Sequence, residues 1–322
     1  MFAKERKIPI RIEQNEALIR NLNRHHSKIP LIEQDLKRRN AGYNGEKSID
    51  YHLSFLDSQK YMIFNDLKLP LTPYHFQIDS LLFTPFYTLI LEIKNISGTL
   101  TIDSEFNQLT RNFNGIETGF SDPITQANRQ RLFLQRFFYE HNLVLPPIKY
   151  LVVISNPSTI LKMAPGQKLY TPYNKIIHAQ NLISEISKLN SSYNEMAATK
   201  KDLRKIKRVL LAQHDTSMTS VLKTFGIEEH EIINGVKCEY CASIMTRKFG
   251  CWHCPQCNLS SKTAHERAME DYFLLFKPFI TNRELRTFLD IPSPRTAHLL
   301  LNSSNLKIQG TGKSTTYHKE FS

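Results

Sequence analysis

The stretch that decides the fold reads Gln77-Ile78-Asp79-Ser80-Leu81-Leu82-Phe83, then Thr84-Pro85-Phe86-Tyr87, then Thr88-Leu89-Ile90-Leu91-Glu92-Ile93-Lys94-Asn95. Both arms are aliphatic or β-branched and a proline sits between them, so a β-hairpin is the simplest structure they can form. Pairing Thr84 with Tyr87 sets Asp79 opposite Glu92. The period of two then puts Lys94 on the face of Glu92, with Ile93 turned away. Ionisable groups in so apolar a strand are costly unless paired or metal-bound. Two carboxylates beside a lysine suit a hard cation: Asp79 and Glu92 can hold Mg²⁺ or Mn²⁺, the Ile93 carbonyl can add a ligand, and Lys94 can orient a water for attack on phosphorus. The plain alternative is a salt bridge at the end of a sheet. A register slip of one residue would separate the pair.

The flanking segments bear on that choice. Gly45-Glu46 is expected to open a helix over 46–57 whose buried stripe is Ile49, Leu53 and Leu56, and Glu46 lies one turn earlier on the same stripe. A second helix over 124–139 has an apolar face of Ala127, Phe133, Leu134, Phe137 and Phe138, and Gln126 and Gln130 fall inside it. A polar residue on a buried face either bonds to backbone or points into a site. Further strands are expected at 98–102 and from Lys149 to Ser155, so the region reads as an α/β domain.

Gly45-Glu46, Gln77-Ile78-Asp79, Glu92-Ile93-Lys94-Asn95 with Ser97-Gly98-Thr99-Leu100, and Asp122-Pro123-Ile124 with Gln126 together resemble the nuclease-related domain, NERD, of the PD-(D/E)xK nuclease superfamily. The resemblance spans about residues 41–150. It implies a restriction-endonuclease-like core, a mixed central sheet flanked by helices. It also implies metal-binding acids at Asp79 and Glu92, a catalytic lysine at Lys94, a supporting helix glutamate at Glu46 and a glutamine near the phosphate at Gln126. Gln77-Ile78 stands where the superfamily name has proline.

All five cysteines fall between Cys238 and Cys257, in two Cys-x-x-Cys hooks. Each hook presents two thiolates to one ion, as tetrahedral Zn²⁺ requires. Cys238, Cys241, Cys254 and Cys257 are the favoured ligands of a zinc ribbon, with Cys251 or His253 able to replace one of them. Four thiolates leave no open position, so this zinc is structural.

Beyond the ribbon, a helix is expected from Ala264 to Phe276. Thr281-Asn282-Arg283-Glu284 has capping-box spacing for a second, and Ser293-Pro294 starts a third. Two short strands around Gly310-Thr311-Gly312-Lys313 follow. The order resembles a winged helix-turn-helix, in which the third helix enters the major groove and the wing meets phosphate. Candidate DNA contacts are Ser293, Arg295, Thr296, His298, Lys307 and Lys313. A small helical protein-interaction domain is the alternative.

The whole chain has 322 residues and a net charge of +12, which favours a polyanionic partner. Its apolar fraction of 41% supports a packed core and excludes a disordered chain. No apolar run reaches the roughly 20 residues that cross a bilayer. The charged N-terminus has no apolar stretch behind it, so no secretory signal is read and a cytoplasmic location is expected. The basic runs are Lys37-Arg38-Arg39 and Lys200–Arg208. The latter is also the solvated face of an amphipathic helix keyed by Leu203, Ile206 and Leu210. Five parts are expected: a helical segment over 1–40, the nuclease-related domain over 41–190, a basic helical linker over 191–234, the ribbon over 235–260 and the winged-helix-like tail over 261–322. The function they suggest is metal-dependent hydrolysis of nucleic acid, DNA being favoured. A non-catalytic DNA-binding regulator and a zinc-ribbon interaction scaffold are the alternatives.

Overall fold

The computed structural model describes residues 2–168 and 172–320, apart from the side chain of Lys313. The chain begins with strand β1 (Phe2–Lys4), continues through helix α1 (Ile10–Asn21) and reaches the long helix α2 (Ile29–Leu53). It divides into two compact units, Met1–Lys7 with Ala41–Asp215 and Ile8–Asn40 with Thr216–Ser322. The five consecutive parts expected from sequence are thus distributed over two units. Among the described residues no helix is long and apolar enough to cross a membrane.

The first unit is built on β2 (Met62–Leu71), β3 (Tyr74–Phe83), β4 (Thr88–Lys94), β5 (Thr99–Asp103), β6 (Gln108–Phe113), β7 (Ile116–Ser121), α3 (Pro123–Glu140), β8 (Ile148–Ile154), β9 (Ile160–Met163), β10 (Ile176–His178), α4 (Leu182–Ser192) and α5 (Lys200–Gln213). Six strands make a mixed sheet in the order β1-β2-β3-β4-β8-β10. β4 and β8 lie side by side and parallel at its centre. Leu89–Leu91 of β4 and Leu151–Ile154 of β8 are apolar without alternation because both sheet faces are covered. Ile90, Val152 and Ile154 pack with Leu134, Phe137 and Phe138 of α3 and with Ile206 and Leu210 of α5. The alternate residues Leu89, Leu91, Ile93 and Val153 pack with Ile49 and Leu53 of α2 and with Leu182 and Ile186 of α4. Each such fully buried side chain contributes about 1.5–3 kcal/mol, so the period of two fixes the register against slippage. A second sheet, β7-β6-β5-β9, extends the unit.

In the second unit, α1 and the first part of α2 pack with α6 (Val221–Phe225), α7 (Ala264–Leu275), α8 (Asn282–Leu289) and α9 (Pro294–Ser303) around Leu18, Ile32, Phe273, Leu285 and Leu301. The cysteine segment forms an antiparallel sheet of β11 (Thr246–Lys248), β12 (Cys251–His253) and β13 (Ser260–Ser261). Its hairpin turns at Phe249 and Gly250, both at positive φ (51° and 81°), the pairing that a two-residue turn demands. β14 (Phe279–Thr281), β15 (Lys307–Gln309) and β16 (Thr316–His318) form the tail sheet in the order β14-β16-β15. The caps expected there are present: Thr281 and Glu284 close a capping box, and Ser293 caps α9 with Pro294 in its first turn.

Three local expectations are corrected. No helix opens at Gly45, because α2 runs unbroken from Ile29 through Gly42 and Gly45 and stops at Leu53, short of 57. Glycine costs about 1 kcal/mol in a helix, and packing overrides that preference here. The linker expected over 191–234 is not one helical stretch: α5 ends at Gln213 and α6 begins at Val221. The helix expected to reach Phe276 stops at Leu275.

Candidate active site and metal centres

The β3–β4 ladder pairs Ser80 with Leu91, Leu81 with Ile90, Leu82 with Leu89 and Phe83 with Thr88. Its turn is closed by the Thr84 amide donating to the Tyr87 carbonyl at 3.0 Å. This register brings Asp79 to the end of β4, where its Oδ2 accepts the Ile93 amide at 2.8 Å. Glu92, 1% exposed, places Oε1 2.6 Å from Lys94 Nζ and accepts Gln130 Nε2 on Oε2 at 2.6 Å. Lys94 Nζ donates onward to Gln126 Oε1 at 3.0 Å. Asp79, Glu92, Lys94 and Gln126 are therefore joined through one sheet end and one helix. α3 starts where it does because Asp122 caps it, accepting the Ile124 and Thr125 amides, with Pro123 in the first turn. That cap explains Asp122-Pro123 in the sequence and sets Gln126 and Gln130 one turn apart over β4.

Glu46 approaches from α2, whose Ile49 and Leu53 lie in the other core. Gly45 makes the approach possible. A Cβ there would stand 2.4 Å from Asn95 Cβ and 2.8 Å from Ser155 Oγ, so only glycine lets the helix lie against the end of β4. Asn95 Nδ2 donates to the Ala41 carbonyl at 2.7 Å and fastens the same contact.

Sequence reasoning missed Arg6 and Asp50 as members of the site; Gln130 was picked out with Gln126 on the buried face of its helix but given no role there. Arg6 is held by β1, which runs parallel to β2, and by Lys4 Nζ donating to the Asn65 and Asp66 carbonyls at 2.9 and 2.8 Å. Its side chain, 2% exposed, pairs with Glu46, donates Nε to Asp50 Oδ2 at 3.1 Å and donates Nη2 to the Asp79 carbonyl at 3.2 Å and Ser80 Oγ at 2.9 Å. Nothing local marks Arg6, since the N-terminus reads as a charged run. Asp50 carried a signal, lying one helical turn beyond Glu46.

The electrostatics follow from four acids in a small, largely buried space. Burial, with Glu92 and Glu46 nearby, pushes the Asp79 carboxyl well above the usual range. Burial pushes Glu46 up to about 7; Arg6 pulls it down, while Asp66, Glu92 and Asp50 push it further up. Burial likewise raises Asp50, against the pull of Arg6. Among the described residues, Arg6 and Lys94 are the cations paired with these acids, with the exposed Lys47 adding a weaker pull on Asp50. Hard carboxylate oxygens with unmet negative charge are the donor chemistry that Mg²⁺ or Mn²⁺ requires, and the Asp79–Glu92 pair fits such an ion by that chemistry; among the described residues the four cysteines, and no three of these acids, bring their ligand atoms within 4.8 Å of one another.

The second centre is simpler. The Sγ atoms of Cys238, Cys241, Cys254 and Cys257 all lie within 4.8 Å of one another. Cys238 and Cys257 are 3.6 Å apart and Cys241 and Cys254 are 3.3 Å apart, close to the roughly 3.8 Å edge of a tetrahedron with Zn–S bonds of about 2.3 Å. Cys251 lies outside the cluster, and His253 Nδ1 is hydrogen-bonded to Ser260 Oγ at 2.8 Å. The cluster fits a zinc ribbon.

In the tail, Arg295 and His298 are exposed on α9, and the Thr296 amide donates to the capping Ser293 Oγ at 3.3 Å. Lys307 is exposed on β15 and pairs with Glu320. The Lys313 side chain lies outside the described residues.

Residues 41–155 match the family model of the nuclease-related domain, NERD. No curated protein and no solved structure matches the chain. The matched segment contains Glu46, Asp79, Glu92, Lys94 and Gln126; Arg6 lies outside it.

Proposed function

We propose that the first unit, which carries a nuclease-related domain, is a PD-(D/E)xK-type nuclease that hydrolyses phosphodiester bonds of DNA with Mg²⁺ or Mn²⁺. The observation that carries this reading is the convergence of Asp79, Glu92 and Lys94 at one end of β4, inside the matched segment. Asp79 and Glu92 would hold the ion, which when bound supplies Lewis-acid polarisation of the phosphate and charge stabilisation at the leaving oxygen. Lys94, 26% exposed at its side chain, is the group able to swing from Glu92 towards an incoming water. Gln126 holds the same ammonium, accepting from Lys94 Nζ on Oε1 at 3.0 Å. Glu46 supports the site from α2, and Gln130 keeps the Glu92 carboxylate oriented.

The four cysteines would hold Zn²⁺ as a structural ion. The tail would act as a winged helix, with Arg295 and Thr296 on the recognition helix and Lys307 and Lys313 in the wing contacting DNA. Its order of helix, strand, two helices and two strands supports that assignment.

One observation favours a second reading, a nucleic-acid-binding protein without turnover. Lys94 and Glu92 already form a close ion pair at 2.6 Å, so the lysine can be explained as a structural partner. Cleavage of duplex and single-stranded DNA and of RNA, with Mg²⁺ or Mn²⁺, separates the two. Wild type is expected to cleave DNA, and Lys94→Ala to lose about 10²–10⁴-fold in rate, the range for a lost acid–base group. Equal rates in the two proteins would overturn the role of Lys94. No cleavage by wild type of any substrate with either metal would favour the second reading.

A further inference from the structure

We propose that Arg6 takes the place of a second divalent cation, so that the acidic site binds one Mg²⁺ or Mn²⁺ and not two. The inference rests on the metal-binding reading given above and deepens it. Four carboxylates face the site, those of Glu46, Asp50, Asp79 and Glu92, and they divide into two sets by partner. Glu46 and Asp50 share the guanidinium of Arg6, which also donates to the Asp79 carbonyl and Ser80 Oγ. Among the described residues, Asp79 and Glu92 are met by the Ile93 amide, Gln130 and the movable Lys94.

The charges make the count. With all four carboxylates ionised, as holding a cation requires, Arg6 and Lys94 leave two negative charges, which one divalent ion cancels. Lys4 and Asp66 also approach Glu46 and Arg6, but their charges are opposite and cancel. Lys47 stands in solvent, where water screens it. A second divalent ion at Glu46 and Asp50 would have to displace a guanidinium that is 2% exposed, leaving that cation buried without a counter-charge. Arg6 is also fixed in place rather than loosely poised. β1 pairs with β2, Lys4 is tied to two β2 carbonyls, and the planar fork of Arg6 reaches two carboxylates at once. Arg6 is thus a positioning residue: it neutralises the α2 acids without touching the reacting atoms.

The test is Mn²⁺ stoichiometry on the zinc-loaded full chain, from the loss of the free-ion electron paramagnetic resonance signal. Thiolates already holding zinc do not compete for this hard ion. Wild type is expected to bind one Mn²⁺, Arg6→Lys one, and Arg6→Met two, with circular dichroism reporting the fold of each variant. Two ions in wild type overturn the proposal. So does a single ion of unchanged affinity in folded Arg6→Met. Should Arg6→Met not fold, the wild-type count decides alone, one supporting and two overturning. No Mn²⁺ bound by wild type at all is a different failure, since it removes the metal-binding reading itself.

Discussion

Helix α2 carries two carboxylate centres of opposite character, one in each unit. In the second unit, Asp35 accepts Asn15 Nδ2 at 2.8 Å, Arg38 Nη2 at 2.6 Å and Arg39 Nε at 2.7 Å, with Arg11 Nε 3.7 Å away. Burial alone would raise this carboxyl, but the hydrogen bonds from Arg39, Asn15 and Arg38 outweigh it and hold Asp35 at about 2. In the first unit, Glu46 is pushed up to about 7 by burial among other acids, with Arg6 the principal opposing charge. One carboxylate has more positive charge than it needs, and the four-acid cluster has less. The first arrangement is a staple that is complete within the protein. The second keeps unbalanced negative charge, the condition under which the proposed cation would be held, and this imbalance distinguishes a candidate site from an ion pair that merely holds a fold together.

Neutralising one acid in each centre should break the symmetry most sharply. Asp35→Asn leaves Arg11, 11% exposed, and two further guanidiniums without their anion, and is expected to cost about 3 kcal/mol. Asp50→Asn removes one of four mutually repelling charges and should leave metal-free stability within about 1 kcal/mol of wild type. Urea melts of the two variants measure the difference, and equal costs would refute the contrast drawn here. Gly45→Ala comes next. The new Cβ meets Asn95 Cβ at 2.4 Å, both atoms being fixed to backbone, so α2 must shift away from β4. A loss of about 1–2 kcal/mol is expected despite alanine's better helix propensity, together with weaker Mn²⁺ binding; an unchanged melting temperature and affinity would count against the close approach. The smallest effect is the acid limb of stability. Because Asp35 is depressed from 3.8 to about 2, its contribution is present above about pH 4 and is lost as pH falls towards 2. A melt series over that range should therefore be steeper for wild type than for Asp35→Asn.

Much of the candidate site was legible because its signals are local. The hairpin register follows from two apolar arms and a short turn, and the ladder has the pairing that sets Asp79 beside Glu92. The capping boxes and cysteine hooks are likewise written within a few residues of chain, so the four clustered cysteines could be chosen from five. Helical spacing placed Gln126 and Gln130 over the sheet and Ile206 and Leu210 in the core. β2 was not anticipated, nor were β1 and the β6–β7 hairpin. β2 pairs along most of β3, yet Asn65, Asp66, Lys68 and Pro70 interrupt its apolar pattern.

By itself, then, the sequence determined what short-range periodicity and spacing can determine: a mixed α/β core, an acid–lysine cluster on one hairpin, a four-thiolate metal set and the capped helices of the tail. Tertiary structure alone decided that Arg6 enters the acidic site, since a guanidinium's partners at residues 46, 50, 79 and 80 are set by β1 docking on β2 and leave no local trace. It also decided that α2 runs through Gly42 and Gly45. Helix propensity disfavours glycine by about 1 kcal/mol, whereas the packing of Gly45 against Asn95 admits no other residue. The physical reason is the same in both cases. Charge balance and steric fit are sums over neighbours that are distant along the chain, and those neighbours are assigned only when the sheet and helices have come together.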